Sequence, residues 1–363
     1  MLKFLQQLQQ HFDAKLPFVA YRKPNETVVN AIFQTDDTVN YVQDFTETGF
    51  VFSPFLSIEK TVLIPLEKQI KATYKQLPSQ KQKISEKTST KNTHIDLVQK
   101  GIDALQTGTY QKIVLSRKIE LKLLSANPIV LFQQLLALYP TAFVYVWYHP
   151  KVGCWLGATP ETLLQTRGNT FKTMSLAGTQ PNQDNVIWST KEQEEQQMVT
   201  NFIADCLLQQ KISFTVNEPY TIKAGNLAHI RTDISGRLTT HKLMDIIAIL
   251  HPTPAVCGLP KEKAKQFILD NEGYDRQFYT GFLGELNFEA TRRNNRRNTE
   301  NHAYNFTTKT SNLFVNLRCM QLQEKSVLVY VGGGITALSN AEAEYQETEH
   351  KAKIMQAIFD VEC

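Results

Sequence analysis

The sequence predicts an α+β fold built on antiparallel sheets, and three features carry that expectation. Strand-patterned and helix-patterned runs are both long, yet they do not alternate in the regular order that a doubly wound parallel sheet requires. The composition, 42% hydrophobic and 20% charged, is that of a globular chain long enough to bury a large core. Only one stretch, KQLPSQKQKISEKTSTKNT, is poor enough in apolar residues to read as an exposed connector. The expected organisation is therefore one domain over 1–363, with a β-rich segment at 1–74, a polar linker at 75–92 and a core at 93–363.

Each element has its own warrant. MLKFLQQLQQHF reads as a leading helix, and the short apolar runs Phe18 to Tyr21, Thr27 to Phe33, Gly49 to Phe55 and Thr61 to Pro65 read as strands. After the linker, Thr93 and Asp96 suggest a capping box, and Ile95, Val98, Ile102 and Leu105 keep a helical apolar face until Gly108 stops it. From Tyr110 to Leu123 the apolar positions 113, 115, 119 and 121 alternate with Lys112, Ser116, Lys118 and Glu120, which predicts a strand with one polar face. Further strands are expected at Ala142 to Tyr148, Val152 to Leu156, Phe171 to Leu176, Leu313 to Gln321 and Ser326 to Val331, with helices near 129–139, 190–210 and 340–359. The segment TRRNNRRNTENHAYN, residues 291–305, reads as a polar hairpin loop with solvated arginines.

The net charge of +4 is mild and evenly spread, which argues against a nucleic-acid partner but suits a small anion in a local basic pocket. Five scattered cysteines without a CxxC or zinc-ligand spacing read as reduced thiols. The N-terminus is too polar for a signal-peptide core, and no apolar run approaches the roughly 20 residues that span a bilayer. A cytoplasmic protein with no membrane partner is expected.

Several constellations carry potential chemistry. In EAEYQETEHK, Glu344, Glu347 and Lys351 share one helix face, which is either a solvated charged surface or a hard-cation site needing one more ligand. In KEQEEQQMVTNFIADCLL, Glu195 is in register with Met198 and Phe202 at the margin of the buried face, whereas Glu192 and Glu194 are expected to face solvent. VYVGGGIT brings a strand into three glycines, whose backbone amides approach an anion closely or simply make a tight turn. Arg318, among the apolar residues of LFVNLRCMQL, needs a carboxylate partner from the protein or a substrate. In GATPETL, Glu161 follows Pro160 where partial desolvation would keep a carboxyl protonated; taken alone the segment is a turn. His251 sits in the proline-stiffened LHPTPAVCGLP, and a lone histidine there is more often structural.

Together and in order, the blocks KIVLSR, GATPE, SLAGT, KEQEEQQMV, LHPTPAVCG, YDRQFYTGFLGEL, NLRC, VGGGI and EYQETEHKAK resemble the chorismate-utilising enzymes, the family of isochorismate, salicylate, anthranilate and aminodeoxychorismate synthases. The resemblance spans about three quarters of the chain and implies large antiparallel sheets packed face to face with helices outside. It implies that Glu195, Glu344 and Glu347 hold Mg2+, which grips the ring carboxylate of chorismate. Arg318, Gly332, Gly333, Gly334 and Lys351 would bind the substrate's carboxylates, Gly178 and Thr179 would line the pocket, and His251 is placed with these substrate-binding residues. Glu161 would protonate the departing hydroxyl at ring carbon 4, and Lys112 would activate a water that attacks ring carbon 2.

Two positions separate the branches. Aminodeoxychorismate synthases typically carry a nucleophilic lysine where Ala177 stands, and anthranilate synthases usually carry glutamine where Lys112 stands. Both point to water as nucleophile and to formation of isochorismate, by a monomer with no obligatory amidotransferase partner. The alternatives are a salicylate synthase, which matches equally at both positions, and an ammonia-using subunit of the anthranilate synthase type.

Overall fold

The structure, a computed structural model, describes residues 1–78, 81–183, 185–224, 227–238, 242–291 and 307–361. The α+β expectation holds, in four layers of helices, sheet, sheet and helices. From one edge to the other, the first sheet runs through Phe359–Val361, Gln82–Lys87, Lys112–Leu123, Ser326–Ile335, Cys319–Leu322, Gly153–Thr159, Phe143–His149, Phe18–Arg22, Val28–Phe33 and Lys68–Thr73, with Gly258–Leu259 added beside Lys112–Leu123. The second runs through Ser213–Val216, Leu227–Arg237, Thr170–Pro181, Thr162–Arg167, Thr307–Val315, Phe282–Thr291, Gly49–Ser53, Val62–Pro65 and Asn40–Tyr41, with Tyr220–Ala224 beside Leu227–Arg237. Among the described residues every ladder is antiparallel except that between Phe359–Val361 and Gln82–Lys87.

Side-chain shape explains how the layers sort. In FVYVWYH, Phe143, Tyr145 and Trp147 point between the sheets, while Val144 and Val146 point to the helices. The inter-sheet core is aromatic, with Phe143 stacked on Phe314 at 4.2 Å and Phe52 on Phe278 at 4.3 Å between ring centroids. The helices Leu2–Asp13, Pro128–Leu138 and Ala341–Gln356 cover the outer face of the first sheet, and Thr190–Gln209 with Leu243–Leu250 covers that of the second. Such strands, buried on both faces, read as continuous apolar runs, which is why the sequence marks them well.

Three expectations need correction. The polar stretch 75–92 contains the strand Gln82–Lys87, whose Gln82 and Ile84 are buried, so ladder pairing with Lys112–Leu123 and Phe359–Val361 orders a segment with little to bury. The helix after it starts at Lys91 and not at a Thr93 cap, and no side-chain cap closes its first turn. The single strand expected over 313–321 is two strands in different sheets, Thr307–Val315 and Cys319–Leu322. The basic segment, from residue 292 onward, and Cys363 lie outside the described residues.

Candidate active site

Two neighbouring chain crossings between the sheets build one wall of a cavity. Gly153–Thr159 lies in the first sheet and Thr162–Arg167 in the second, with Pro160 and Glu161 between them; Thr307–Val315 and Cys319–Leu322 make the same passage in reverse through Asn316, Leu317 and Arg318. Backbone bonds tie the passages together, Ala158 N to Arg318 O at 3.0 Å and Val315 N to Glu161 O at 3.0 Å. Glu161 and Arg318 are thereby delivered side by side into the cavity. Arg318 takes a left-handed φ of +47°, the local strain of the sharp passage.

The electrostatics follow from this burial. Glu161 is 4% exposed, and desolvation raises its carboxyl from 4.5 to about 8 despite the opposing pull of Lys112 and Arg318. It therefore holds its proton at neutral pH. Burial lowers the Arg318 guanidinium to about 10, which leaves it charged. Its Nη2 donates to His229 Nε2 at 3.0 Å, and His229 Nδ1 stands 3.1 Å from Gly178 O. Arginine only donates and a carbonyl only accepts, so His229 carries its proton on Nδ1, and burial, with Arg318 second, holds it neutral by lowering it to about 3. Gly178 is the bulge residue in the ladder of Thr170–Pro181 with Leu227–Arg237, and its φ of +70° suits glycine.

The opposite wall is the polar face of Lys112–Leu123 beside Ser326–Ile335. Lys112 is 1% exposed, and its Nζ donates to Glu195 Oε1 at 2.6 Å. Gly332, Gly333 and Gly334 do not form a turn; they are strand residues opposite Ser116, Leu115 and Val114. A Cβ on Gly334 would sit 2.7 Å from Lys112 Cε and 2.8 Å from Glu195 Oε1, so the missing side chain is what admits the pair. The ladder with Cys319–Leu322 ends at Tyr330, which leaves the edge at Gly332 open. Lys351 reaches that edge from the last helix, donating to Gly332 O at 3.0 Å and to Glu347 Oε1 at 2.6 Å.

Lys112, Glu161, Gly178, Glu195 and Arg318 thus line one cavity with the three glycines, Glu347 and Lys351. Glu344 stands behind the strand, its Oε2 3.3 Å from a Cβ built on Gly333, and accepts from Ser339 Oγ at 2.6 Å. Among the described residues no three acidic or metal-ligating side chains are assembled as a ready ligand set. The backbone of Thr179 pairs with His229, while its side chain lies outside the described part. His251 is not brought to the cavity: it is buried against Phe282 with Nε2 3.2 Å from Pro54 O, a packing role for its loop.

Glu192 corrects the expectation of a solvent-facing residue. It lines the cavity and forms a capping box with Ser189, and Gln180 Nε2 donates to it at 2.9 Å. The Ser-x-x-Glu spacing at 189–192 was the available signal. His229, Tyr279 and Thr280 also line the cavity, and no local pattern announces them.

A buried carboxyl, a buried lysine, two further cations and carboxylates around one cavity between two sheets suit a small polyanionic substrate. The family model for chorismate binding enzymes matches residues 53–292, a second model of that description matches 304–357, and the chain belongs to this family. It is 27% identical over 293 residues to the isochorismate synthase EntC of Escherichia coli (strain K12), covering 77% of this chain and 69% of that protein. Isochorismate synthase DhbC of Bacillus subtilis (strain 168) is 29% identical over 287 residues, 73% of this chain and 67% of that one. Among solved structures, the menaquinone-specific isochorismate synthase MenF of Escherichia coli superposes with a TM-score of 0.77 at 19% identity, covering 95% of this chain and 89% of the other. DhbC of Bacillus anthracis gives a TM-score of 0.77 at 23% identity over 98% of this chain and 99% of the other.

Proposed function

We propose that this protein is a magnesium-dependent isochorismate synthase. The observation that carries the chemistry is a single cavity lined by Lys112 and by a Glu161 that burial keeps protonated. Lys112, released from Glu195 and in its neutral amine form, takes a proton from the water that attacks ring carbon 2 of chorismate, and Glu161 gives its proton to the hydroxyl leaving ring carbon 4. Oxygen and protons balance, and the product is an isomer. Arg318, held by His229, and Lys351, at the open glycine edge, bind the substrate's carboxylates. Ala177 offers no amine for a covalent adduct, and Lys112 stands where water needs a base.

Glu195, Glu344 and Glu347 supply hard oxygen donors that fit Mg2+ in kind. Two of them are neutralised by lysines, Glu195 by Lys112 and Glu347 by Lys351, charge that a divalent cation would replace. Magnesium, when bound, would supply the positive charge that holds the ring carboxylate. The proposal includes a cytoplasmic monomer that needs no amidotransferase partner; Cys154, Cys206, Cys257 and Cys319 are unbridged. Among the described residues no helix is long and apolar enough to cross a membrane.

Incubation of the protein with chorismate and Mg2+, with and without ammonium, decides the reading. The expected result is a chorismate and isochorismate mixture by NMR that is lost with chelator and indifferent to ammonium. Salicylate with pyruvate would move the protein to the neighbouring branch, and anthranilate formed only with ammonium would overturn the role of Lys112.

A further inference from the structure

Glu272 and Arg276 take no part in the chemistry above, yet their side chains are 1% and 2% exposed and form an ion pair. All the guanidinium N–H groups of Arg276 find acceptors. Nε donates to Glu272 Oε2 at 2.7 Å, Nη2 to Glu272 Oε1 at 2.5 Å and to Val114 O at 2.7 Å, and Nη1 to Val256 O at 2.9 Å and Thr280 Oγ1 at 3.3 Å. Glu272 Oε1 also accepts from Ser116 N at 2.7 Å and Ser116 Oγ at 2.9 Å. Val114, Val256 and Thr280 all line the cavity.

The pattern at the strand edge gives the pair its meaning. Lys112–Leu123 is paired along its length with Ser326–Ile335, but on its other side Gly258–Leu259 reaches only Lys112 and Ile113, and Val114 N then donates to Cys257 O at 2.9 Å. The next two groups on that edge are Val114 O and Ser116 N, which receive Arg276 and Glu272. A neighbouring strand would offer the same donor and acceptor. A buried ion pair is a poor source of stability compared with apolar packing, since both charges lose water. What it supplies here is placement.

We infer that Glu272 and Arg276 are a positioning pair for Lys112: they complete the sheet edge where the short strand stops, and fix the strand that carries the amine against the loop at Val256. The inference rests on the proposed role of Lys112. In Arg276→Lys, which keeps the charge but cannot span the same acceptors, kcat is expected to fall tenfold or more with KM for chorismate within threefold, because Arg318 and Lys351 stand on other elements. Ser116→Ala, a milder change, is expected to lower kcat twofold to fivefold. Amide exchange of the peptide covering residues 112–117 should quicken at least tenfold in Arg276→Lys. Parent-like kcat in folded Arg276→Lys, or a loss confined to KM, overturns the inference; if that variant does not fold, parent-like kcat in Ser116→Ala does so. Should the parent protein leave chorismate unchanged, the functional reading fails instead, and unchanged exchange at residues 112–117 in folded Arg276→Lys, or in Ser116→Ala if it does not fold, would then overturn the positioning role.

Discussion

Glu161 shows how one residue's environment sets a measurable property. Its folded carboxyl titrates at about 8 and its ordinary value is 4.5, so between those values the folded protein holds a proton that the unfolded chain releases. The contribution of Glu161 to stability should be greatest below about 4.5 and fall as pH rises towards about 8. Glu161→Gln keeps the neutral shape, so its melting temperature relative to the parent's should rise between about pH 4.5 and 8, while turnover drops by at least two orders of magnitude. Thermal melts at several pH values check the first, and parent-like turnover would remove Glu161 from the chemistry. The sequence placed Glu161 and Arg318 in the site through their motifs, yet it could not show why they are adjacent. It also placed His251 there, whereas the structure brings His229 from another strand, because nothing local distinguishes a histidine that packs from one that braces an arginine.

Elements divide into those whose pattern is local and those that need partners. Lys112–Leu123 was legible as an alternating strand, including its polar face, but only the tertiary structure explains why Lys112, at the cavity, and Ser116, bonded to Glu272, are buried on it. Gln82–Lys87 was read as linker because strand pairing, and not apolar content, orders it. The break at Asn316, Leu317 and Arg318 was hidden because the apolar pattern runs on across it while the strand changes sheet. The glycine run is the clearest test at this scale. A Cβ at Gly334 meets the flexible ends of Lys112 and Glu195, whereas one at Gly332 meets Leu115 O at 2.8 Å. Gly334→Ala should therefore leave the protein folded and lower kcat at least tenfold, and Gly332→Ala should lower the melting temperature more, since backbone cannot yield as a side chain can. Parent-like kcat in Gly334→Ala would show that the pair does not need the space.

For the whole molecule, the site joins groups from both sheets, two helices and two crossings, so its charge balance is a tertiary property. Glu347 and Glu195 are each held by a lysine, and Glu347→Ala is expected to raise the Mg2+ concentration for half-maximal activity at least fivefold. A magnesium titration that overlays the parent's would move the metal elsewhere. Taken by itself, the sequence determined the α+β class, most strands and helices, and the family through ordered blocks, because apolar periodicity and short motifs are local signals. The tertiary structure alone decided that Glu161 faces Arg318, that His229 and not His251 reaches the cavity, and that Glu192 lines it. Those facts depend on which strands pair and where they change sheet, and pairing is set by contacts between residues far apart in the chain, which no local pattern encodes.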